Sequence, residues 1–122
     1  MSDDVPVPIE VKYHRRSRVL ELAYASGERF EYSAEYLRVY SPSAEVRGHG
    51  PGQEVLQVGK ENVAIERIEP VGHYAIRLHF DDGHDSGLYS WEELFDLGKN
   101  HQSRWSDYLA RLESAGHKRE AQ

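Results

Sequence analysis

The sequence predicts an α+β domain, with a mainly antiparallel β-sheet of hairpins, a short helix after the third strand and two C-terminal helices. Short segments of alternating apolar and polar residues, separated by turn residues, indicate the strands. Three other segments place apolar residues at helical spacing. Because 122 residues suffice for one core of modest size, we expect residues 1–122 to form a single domain.

The first third of the chain is predicted to form an antiparallel meander. Ile9, Val11 and Tyr13 alternate with polar residues, which is the pattern of a half-buried strand. Residues 19–24 are apolar on both faces, so we expect this second strand to be central. A turn and a third strand, at residues 30–32, follow.

A short helix and a long irregular segment come next. Ser33 is a good N-cap, and Tyr36, Leu37 and Tyr40 would share the inner face of the helix. Residues 41–61 contain several glycines and prolines, and we expect them to form a long loop. A loop of this length is unusual in a compact domain and is either functional or mobile.

The second half of the chain is predicted to add further strands. Residues 63–68 have a strand pattern that we expect to be interrupted around residues 69–72. Residues 74–80 alternate cleanly, so one face of that strand should enter the core. A short return strand follows at residues 88–89.

Two helices are predicted to close the chain. Ser90 is placed to cap the first, whose apolar residues begin at Trp91. The second begins near Gln102, carries apolar residues at helical spacing, and is expected to stop at Gly116.

The composition excludes several classes of function. The chain has no cysteine, hence no disulfide, thiolate ligand or thiol nucleophile. A net charge of −6 argues against binding to a phosphate backbone, so we expect no nucleic-acid partner. The apolar runs are too short to span a bilayer, and the acidic N-terminus lacks the pattern of a secretory signal. We therefore expect a cytoplasmic protein with no membrane partner.

Three motifs occur in order and together resemble the DUF971 family. They are Glu35-Tyr36-Leu37-Arg38 before a proline-containing turn, Glu69-Pro70-Val71-Gly72-x-Tyr74-Ala75-Ile76, and Phe80-Asp81-Asp82-Gly83-His84-x-x-Gly87-Leu88-Tyr89-Ser90-Trp91. That family is similar to the N-terminal domain of gamma-butyrobetaine hydroxylase. The resemblance covers about residues 8–97 and implies a small α+β domain. A C-terminal helix at 98–116 and flexible ends at 1–7 and 117–122 complete the predicted organisation.

The resemblance also implies a position for zinc. In the hydroxylase, the N-terminal domain holds a structural zinc through three cysteines and one histidine. The cysteine positions here are Ser41, Ser43 and Val46, whereas His84 matches the histidine. Neutral hydroxyls and valine cannot replace thiolates as zinc ligands. We therefore expect a degenerate zinc site, no bound metal and no cofactor.

The end of the predicted strand at residues 74–80 suggests a second possible metal site, which would bind iron. His79 and Asp81 share one strand face, as a site of two histidines and one carboxylate would require. The resemblance does not support this site, because the iron of the hydroxylase lies in a separate catalytic domain. We expect a polar strand face instead.

The central turn, residues 81–86, carries three acids, a histidine and a serine. Asp82-Gly83 is typical of a tight hairpin turn, so we expect the acids to serve turn geometry and solubility. Weak metal binding by His84 and Asp85 is the alternative. Adjacent residues on one turn cannot form an oriented serine–histidine–aspartate relay, so we predict no catalytic residue.

These observations favour a non-catalytic domain that works through contact with another protein. The contact surface is predicted along the central motif, at the polar or aromatic residues His79, Asp81, Asp82, His84, Asp85, Tyr89 and Trp91. In the hydroxylase the N-terminal domain helps to form the dimer, so the resemblance adds a homodimer to the expected partners.

The resemblance suggests two further roles. Domains that resemble DUF971 are also fused to P-loop iron–sulfur carrier proteins, which implies an accessory role in iron–sulfur or metal handling. A 2-oxoglutarate oxygenase-related enzyme is the third interpretation. It fails because the chain has no catalytic domain to hold the iron ligands and the 2-oxoglutarate-binding arginine.

Overall fold

The computed structural model describes residues 5–48, 50 and 52–119. Within them the chain forms two three-stranded antiparallel sheets and four helices, which confirms the predicted α+β class. The strands are β1 (Glu10–His14), β2 (Val19–Ala23), β3 (Arg29–Ser33), β4 (Ile65–Val71), β5 (Ala75–Phe80) and β6 (Leu88–Ser90). The helices are α1 (Ala34–Val39), α2 (Ala44–Arg47), α3 (Trp91–Lys99) and α4 (His101–Ser114).

The first sheet has the order β1-β2-β3, so the second strand is central, as predicted. Tyr13, Leu20 and Tyr32 lie opposite one another across the three strands. Leu20 and Tyr32 are fully buried in the main core, and β3 contacts α1 and α3. Tyr13, on the edge strand, is only partly buried.

The second sheet has the order β4-β5-β6. The predicted interruption at residues 69–72 is wrong, because β4 continues through Pro70 to Val71. Pro70 lies opposite Ile76, and an edge strand accepts a proline where the missing N–H would have pointed away from the sheet. The irregularity of β4 lies earlier, at a register shift beside Ile65.

The main core lies between the two sheets and against α1 and α3. A hydrogen bond of 3.0 Å from the Ile65 amide to the Tyr13 hydroxyl links β4 to β1. Full burial of one large apolar side chain stabilises a fold by about 1.5–3 kcal/mol. The buried core residues are Leu20, Leu22, Tyr24, Tyr32, Ala34, Tyr36, Leu37, Val63, Ile65, Ile76, Leu78, Phe80, Tyr89, Leu94 and Leu97.

Buried tyrosine hydroxyls attach α3 to the first sheet and to α1. Tyr32 donates to the Leu94 carbonyl at 2.6 Å, and Tyr36 donates to the Leu97 carbonyl at 2.7 Å. Burial raises the pKa of both tyrosines, so both hydroxyls stay protonated and able to donate. A hydrogen bond of this kind contributes about 1 kcal/mol to stability.

The predicted loop at residues 41–61 contains a short helix, α2, that its sequence pattern does not indicate. Ser43 caps α2, because its hydroxyl accepts a 3.2 Å hydrogen bond from the Glu45 amide. Val46 of α2 is buried, which fixes the turn to the body of the domain. Residues 49 and 51, in the glycine-rich part of the predicted loop, lie outside the described residues.

The C-terminal helix ends as predicted. Gly116 has a φ of +79°, and the His117 amide donates to the Leu112 carbonyl at 2.9 Å, which is a glycine-based helix stop. Among the described residues, none of the helices is both long and apolar enough to cross a membrane.

One residue of the predicted flexible C-terminal end contacts the body of the domain. The Arg119 guanidinium donates hydrogen bonds of 2.7 and 2.5 Å to the carboxylate of Glu35, which is 5% exposed. Arg119 is therefore held on the domain, because it satisfies a buried acid. Residues 1–4 and 120–122 lie outside the described residues.

Candidate functional site

The histidine that the resemblance singles out lies in a buried polar cluster. His84 Nε2 is 2.8 Å from Ser41 Oγ, and His84 Nδ1 is 3.0 Å from Glu45 Oε1. The His84 side chain is 2% exposed, whereas the Glu45 side chain is 70% exposed. Ser41 is fully buried. We refer to these three residues as the Ser41–His84–Glu45 cluster.

Three separate segments supply the cluster. Ser41 follows α1, Glu45 belongs to α2, and His84 lies in the turn between β5 and β6. In that turn the Gly83 amide donates to the Phe80 carbonyl at 3.1 Å, and the Phe80 amide donates to the His84 carbonyl at 3.0 Å. The turn thereby aims the imidazole at the α1–α2 connection.

Asp82 joins the same turn to α1 and to the segment before β4 through charge. Its Oδ2 accepts from Arg38 Nε at 2.9 Å and from Lys60 Nζ at 2.7 Å, and its Oδ1 accepts from the His84 amide at 3.1 Å. Burial raises the pKa of Asp82, but these hydrogen bonds outweigh burial and lower the pKa to about 2. Asp82 therefore supports the turn, as expected, and its ion pairs with Arg38 and Lys60 add contacts that the sequence did not predict.

The His84 imidazole is held in its neutral form. Burial lowers the pKa of His84, the Arg38 charge lowers it further, and the hydrogen bond with Glu45 opposes both effects. A neutral imidazole has one N–H. If Nδ1 donates that hydrogen to Glu45, Nε2 accepts from the Ser41 hydroxyl, and every polar atom of the ring has a partner.

The order carboxylate, imidazole and hydroxyl is also that of a catalytic serine relay. Ser41 cannot serve as a nucleophile, because it is fully buried. The Gly87 backbone packs so closely against it that an added Cβ would lie 2.4 Å from Ser41 Oγ. Ser41 Oγ also accepts from the Ser43 amide at 3.2 Å. The buried Ser41 hydroxyl therefore connects segments of the fold and is not placed to attack a substrate.

The donor set at the implied zinc position does not fit zinc. Ser41 and Ser43 are hydrogen-bonded to each other, Ser41 contacts His84, and Val46 is buried nearby in α2. The Ser43 hydroxyl is 2.7 Å from the Ser86 hydroxyl. Both imidazole nitrogens have hydrogen-bond partners, and the other positions offer two neutral hydroxyls and one alkyl group. Tetrahedral zinc needs four stronger donors.

The predicted contact surface must lose two residues. Tyr89 is fully buried and its hydroxyl donates to the Leu37 carbonyl at 2.6 Å, so it belongs to the core. His84 is buried in the cluster described above. Trp91 is partly buried, and its indole N–H donates to the His73 carbonyl at 2.9 Å. Neither Tyr89 nor His84 can meet a partner directly.

His79 and Asp81 are in separate local contacts and do not converge. His79 Nε2 is 3.0 Å from Glu69 Oε1 and its Nδ1 is 3.9 Å from Asp85 Oδ2. Asp81 Oδ1 accepts from the Ala64 amide at 3.1 Å. In the part of the chain that the structure describes, no group of three or more histidine, aspartate or glutamate side chains is arranged to hold a metal ion.

The free edge of the first sheet is more exposed than its sequence predicts. Ile9, Val11 and Tyr13 were expected to be half-buried, but Ile9 is 72% exposed and Val11 is 38% exposed. Val7 continues the row and is 52% exposed. β1 pairs only with β2, and Val7 and Ile9 precede its first residue, Glu10.

Comparison with known proteins gives consistent matches. A family model described as gamma-butyrobetaine hydroxylase-like, N-terminal, matches residues 11–95. One NMR solution structure is 51% identical in sequence, and the match covers 99% of this chain and 90% of that chain. A second NMR solution structure is 46% identical, and the match covers 98% of this chain and 94% of that chain. Both have a TM-score of 0.83. A crystal structure of a DUF971 protein of unknown function from Acidithiobacillus ferrooxidans is 38% identical, over 80% of this chain and 98% of that one, with a TM-score of 0.66. No curated protein matches the chain significantly.

Proposed function

This chain belongs to the gamma-butyrobetaine hydroxylase-like N-terminal (DUF971) family, and we propose that it is a non-catalytic cytoplasmic domain that works through protein contact. The family is described by an N-terminal domain, not by a catalytic one. The polar residues of the central motif support this proposal, because His84 and Asp82 are committed to contacts within the fold.

The same proposal gives the Ser41–His84–Glu45 cluster a structural role in place of zinc. A structural zinc would join the α1–α2 connection to the turn between β5 and β6. Here two hydrogen bonds of 2.8 and 3.0 Å join those segments, and the Asp82 ion pairs with Arg38 and Lys60 add to them. We infer that these contacts replace the folding free energy of a metal.

The observation that carries the contact role is the exposed apolar edge of β1. Val11 of β1, and Val7 and Ile9 in the segment just before it, expose apolar side chains, and no strand among the described residues pairs with the outer edge of β1. An exposed apolar edge strand is a template for pairing with another strand, and proteins normally protect such edges. Its exposure in this chain is explained if a partner strand covers it.

We propose that the partner is a second copy of the chain, paired antiparallel through β1. The His14 carbonyl accepts a hydrogen bond of 2.8 Å from the Arg18 amide, so the N–H and C=O groups of His14 point toward β2. Successive residues of a strand point these groups to opposite edges. The N–H and C=O groups of Val11 and Tyr13 therefore point to the free edge of β1. Pairing centred on Val11 places Glu10 opposite Lys12 of the second copy, and Lys12 opposite Glu10, so the charges are complementary.

Light scattering over a concentration series tests this proposal. The wild type should approach the mass of a dimer with rising concentration, and Val11→Lys should remain monomeric because two lysines would then face each other. Val58→Lys is the matched control, because Val58 is 41% exposed and Val11 is 38% exposed, and it should associate as the wild type does. A wild type that stays monomeric into the millimolar range, or equal effects of the two substitutions, would contradict self-association.

An accessory role in iron–sulfur or metal handling is the alternative, and an iron titration separates it from the contact role. His84 would have to leave two hydrogen bonds to bind iron. Under anaerobic conditions we expect no uptake of iron by the wild type and no difference for His84→Ala. Stoichiometric uptake that His84→Ala abolishes would favour the metal-handling role.

A further inference from the structure

A cavity of about 620 Å³ contains no residue of β1 in its lining and has no role in the proposed contact. It is bounded by the end of α1, by α2 with the segment that follows it, and by α4. Pockets for small molecules have volumes of about 300–1,000 Å³. Part of its wall is apolar, and is formed by Val39, Val46 and Val55.

Two arginines of α4 converge at this cavity. The Arg104 and Arg111 guanidinium carbons lie 5.9 and 5.7 Å from the centre of the Tyr40 ring. They are seven residues apart, which places both on one face of the helix. Tyr40 is fixed between them, because its hydroxyl donates to the Arg104 carbonyl at 2.7 Å and accepts from Arg111 at 3.4 Å.

Both guanidinium groups keep hydrogen-bond donors for a ligand. A guanidinium has five N–H donors. Among the described residues, Arg104 uses one on Asp96, and Arg111 uses one on Tyr40. Arg111 Nε is buried without a hydrogen bond, and its nearest carboxylate oxygen, on Asp107, is 3.4 Å away.

The charges around the cavity favour a ligand with at most one negative charge. Three arginines and two glutamates line it, Arg47, Arg104, Arg111, Glu54 and Glu93, and two aspartates outside the lining, Asp96 and Asp107, lie beside Arg104 and Arg111. Arg47 and Glu93 already neutralise each other through a hydrogen bond of 2.6 Å. A dianion would be repelled by the glutamates, whereas a single carboxylate matches the planar fork of a guanidinium.

We propose that this cavity binds a small organic monocarboxylate, with the carboxylate at Arg104 and Arg111 and an apolar body against Val39, Val46 and Val55. The site rests on the geometry of α4 and is independent of pairing through β1.

Phenylacetate is the probe that tests the proposal. In amide-resolved NMR, phenylacetate should cause saturable shifts in α4 and at residues 44–57. Phenylacetamide, which has the same body without the charge, should cause none at the same concentration. Arg111→Gln and Arg104→Gln should each weaken binding about tenfold, the factor expected for one charge-assisted hydrogen bond. Arg67→Gln is the control, because Arg67 lies on β4 outside the cavity, and should bind as the wild type does.

Three results would overturn the proposal. They are the absence of saturable shifts, equal binding of phenylacetamide, and displacement of phenylacetate by an equal concentration of inorganic phosphate. Each arginine variant is checked for folding by thermal denaturation. Because Arg104 and Arg111 are tested separately, one variant that fails to fold leaves the other as the test.

Discussion

Replacing Asp82 by asparagine should destabilise the domain far more than its place in a polar turn suggests. The pKa of Asp82 falls from an ordinary 3.8 to about 2, which corresponds to about 2 kcal/mol of stability at neutral pH. The side chains of Asp82 and Arg38 are 23% and 8% exposed, so solvent screens the pair weakly. The variant also leaves Arg38 charged and nearly buried without a counter-ion. We expect a total loss of about 2–4 kcal/mol.

Urea denaturation of Asp82→Asn and wild type at several pH values measures this loss. Because the folded pKa is lowered, the stabilisation is present above pH 3.8 and disappears as the pH falls toward 2. The difference between the proteins should therefore be full at pH 7 and shrink below pH 4. Asp85→Asn is the control, because its side chain is 61% exposed, and should cost less than about 0.5 kcal/mol. A loss of less than about 0.5 kcal/mol for Asp82→Asn as well, or a stability difference from wild type that does not change with pH, would refute the role of the Asp82 ion pairs.

Three further predictions concern the cluster and the core. Elemental analysis of protein purified without added metal should find no stoichiometric zinc. One zinc per chain would contradict the conclusion that Ser41, Ser43 and His84 do not form a zinc site. Because the pKa of His84 is lowered in the folded protein, the neutral imidazole contributes fully to stability above pH 6.5, and this contribution declines as the pH falls below 6.5. His84→Gln should remove this part of the pH dependence of the free energy of unfolding. Gly98→Ala should cost about 1–3 kcal/mol, because its Cβ would lie 2.4 Å from the Phe30 ring, whereas Gly50→Ala, with nothing within 4 Å, should cost little; equal melting temperatures would contradict this packing.

The fold could be predicted where the information is local. The two apolar faces of β2 indicate its central position, and alternation in β5 is visible because one side of that strand meets the core, as with Leu78. Ser33 and Ser90 were identified as N-caps, and each accepts a hydrogen bond of 3.0 Å from an amide of the following helix. In these elements the residue type and the local geometry point to the same structure.

The contacts of the candidate site could not be predicted because they are not local. Ser41 and His84 are separated by 43 positions, and Arg38 and Asp82 by 44. Hydrogen-bonding capacity can be read from each residue, but the partner depends on how α1 and the β5–β6 turn meet. The resemblance to DUF971 did connect Ser41 with His84, through the zinc position that it implied.

The exposure of β1 illustrates a different limit. Period-two alternation predicts that Ile9 and Val11 lie on one face of a strand, but β1 begins at Glu10, so only Val11 lies in it. It does not reveal whether helices or a second sheet extend over that face. The short helix α2 was missed for a related reason, because four residues between glycines and prolines give too weak a periodic signal.

Mixing two charge-reversed variants tests the central claim, self-association through β1, most directly. In the proposed pair, position 10 of one copy faces position 12 of the other. In the Glu10→Lys variant both positions carry a positive charge, and in the Lys12→Glu variant both carry a negative charge. Each variant alone should therefore be monomeric in light scattering, because like charges would meet in the pair. An equimolar mixture should form a heterodimer, because each lysine then meets a glutamate. A mixture that remains monomeric, or single variants that associate as strongly as the wild type, would contradict the account.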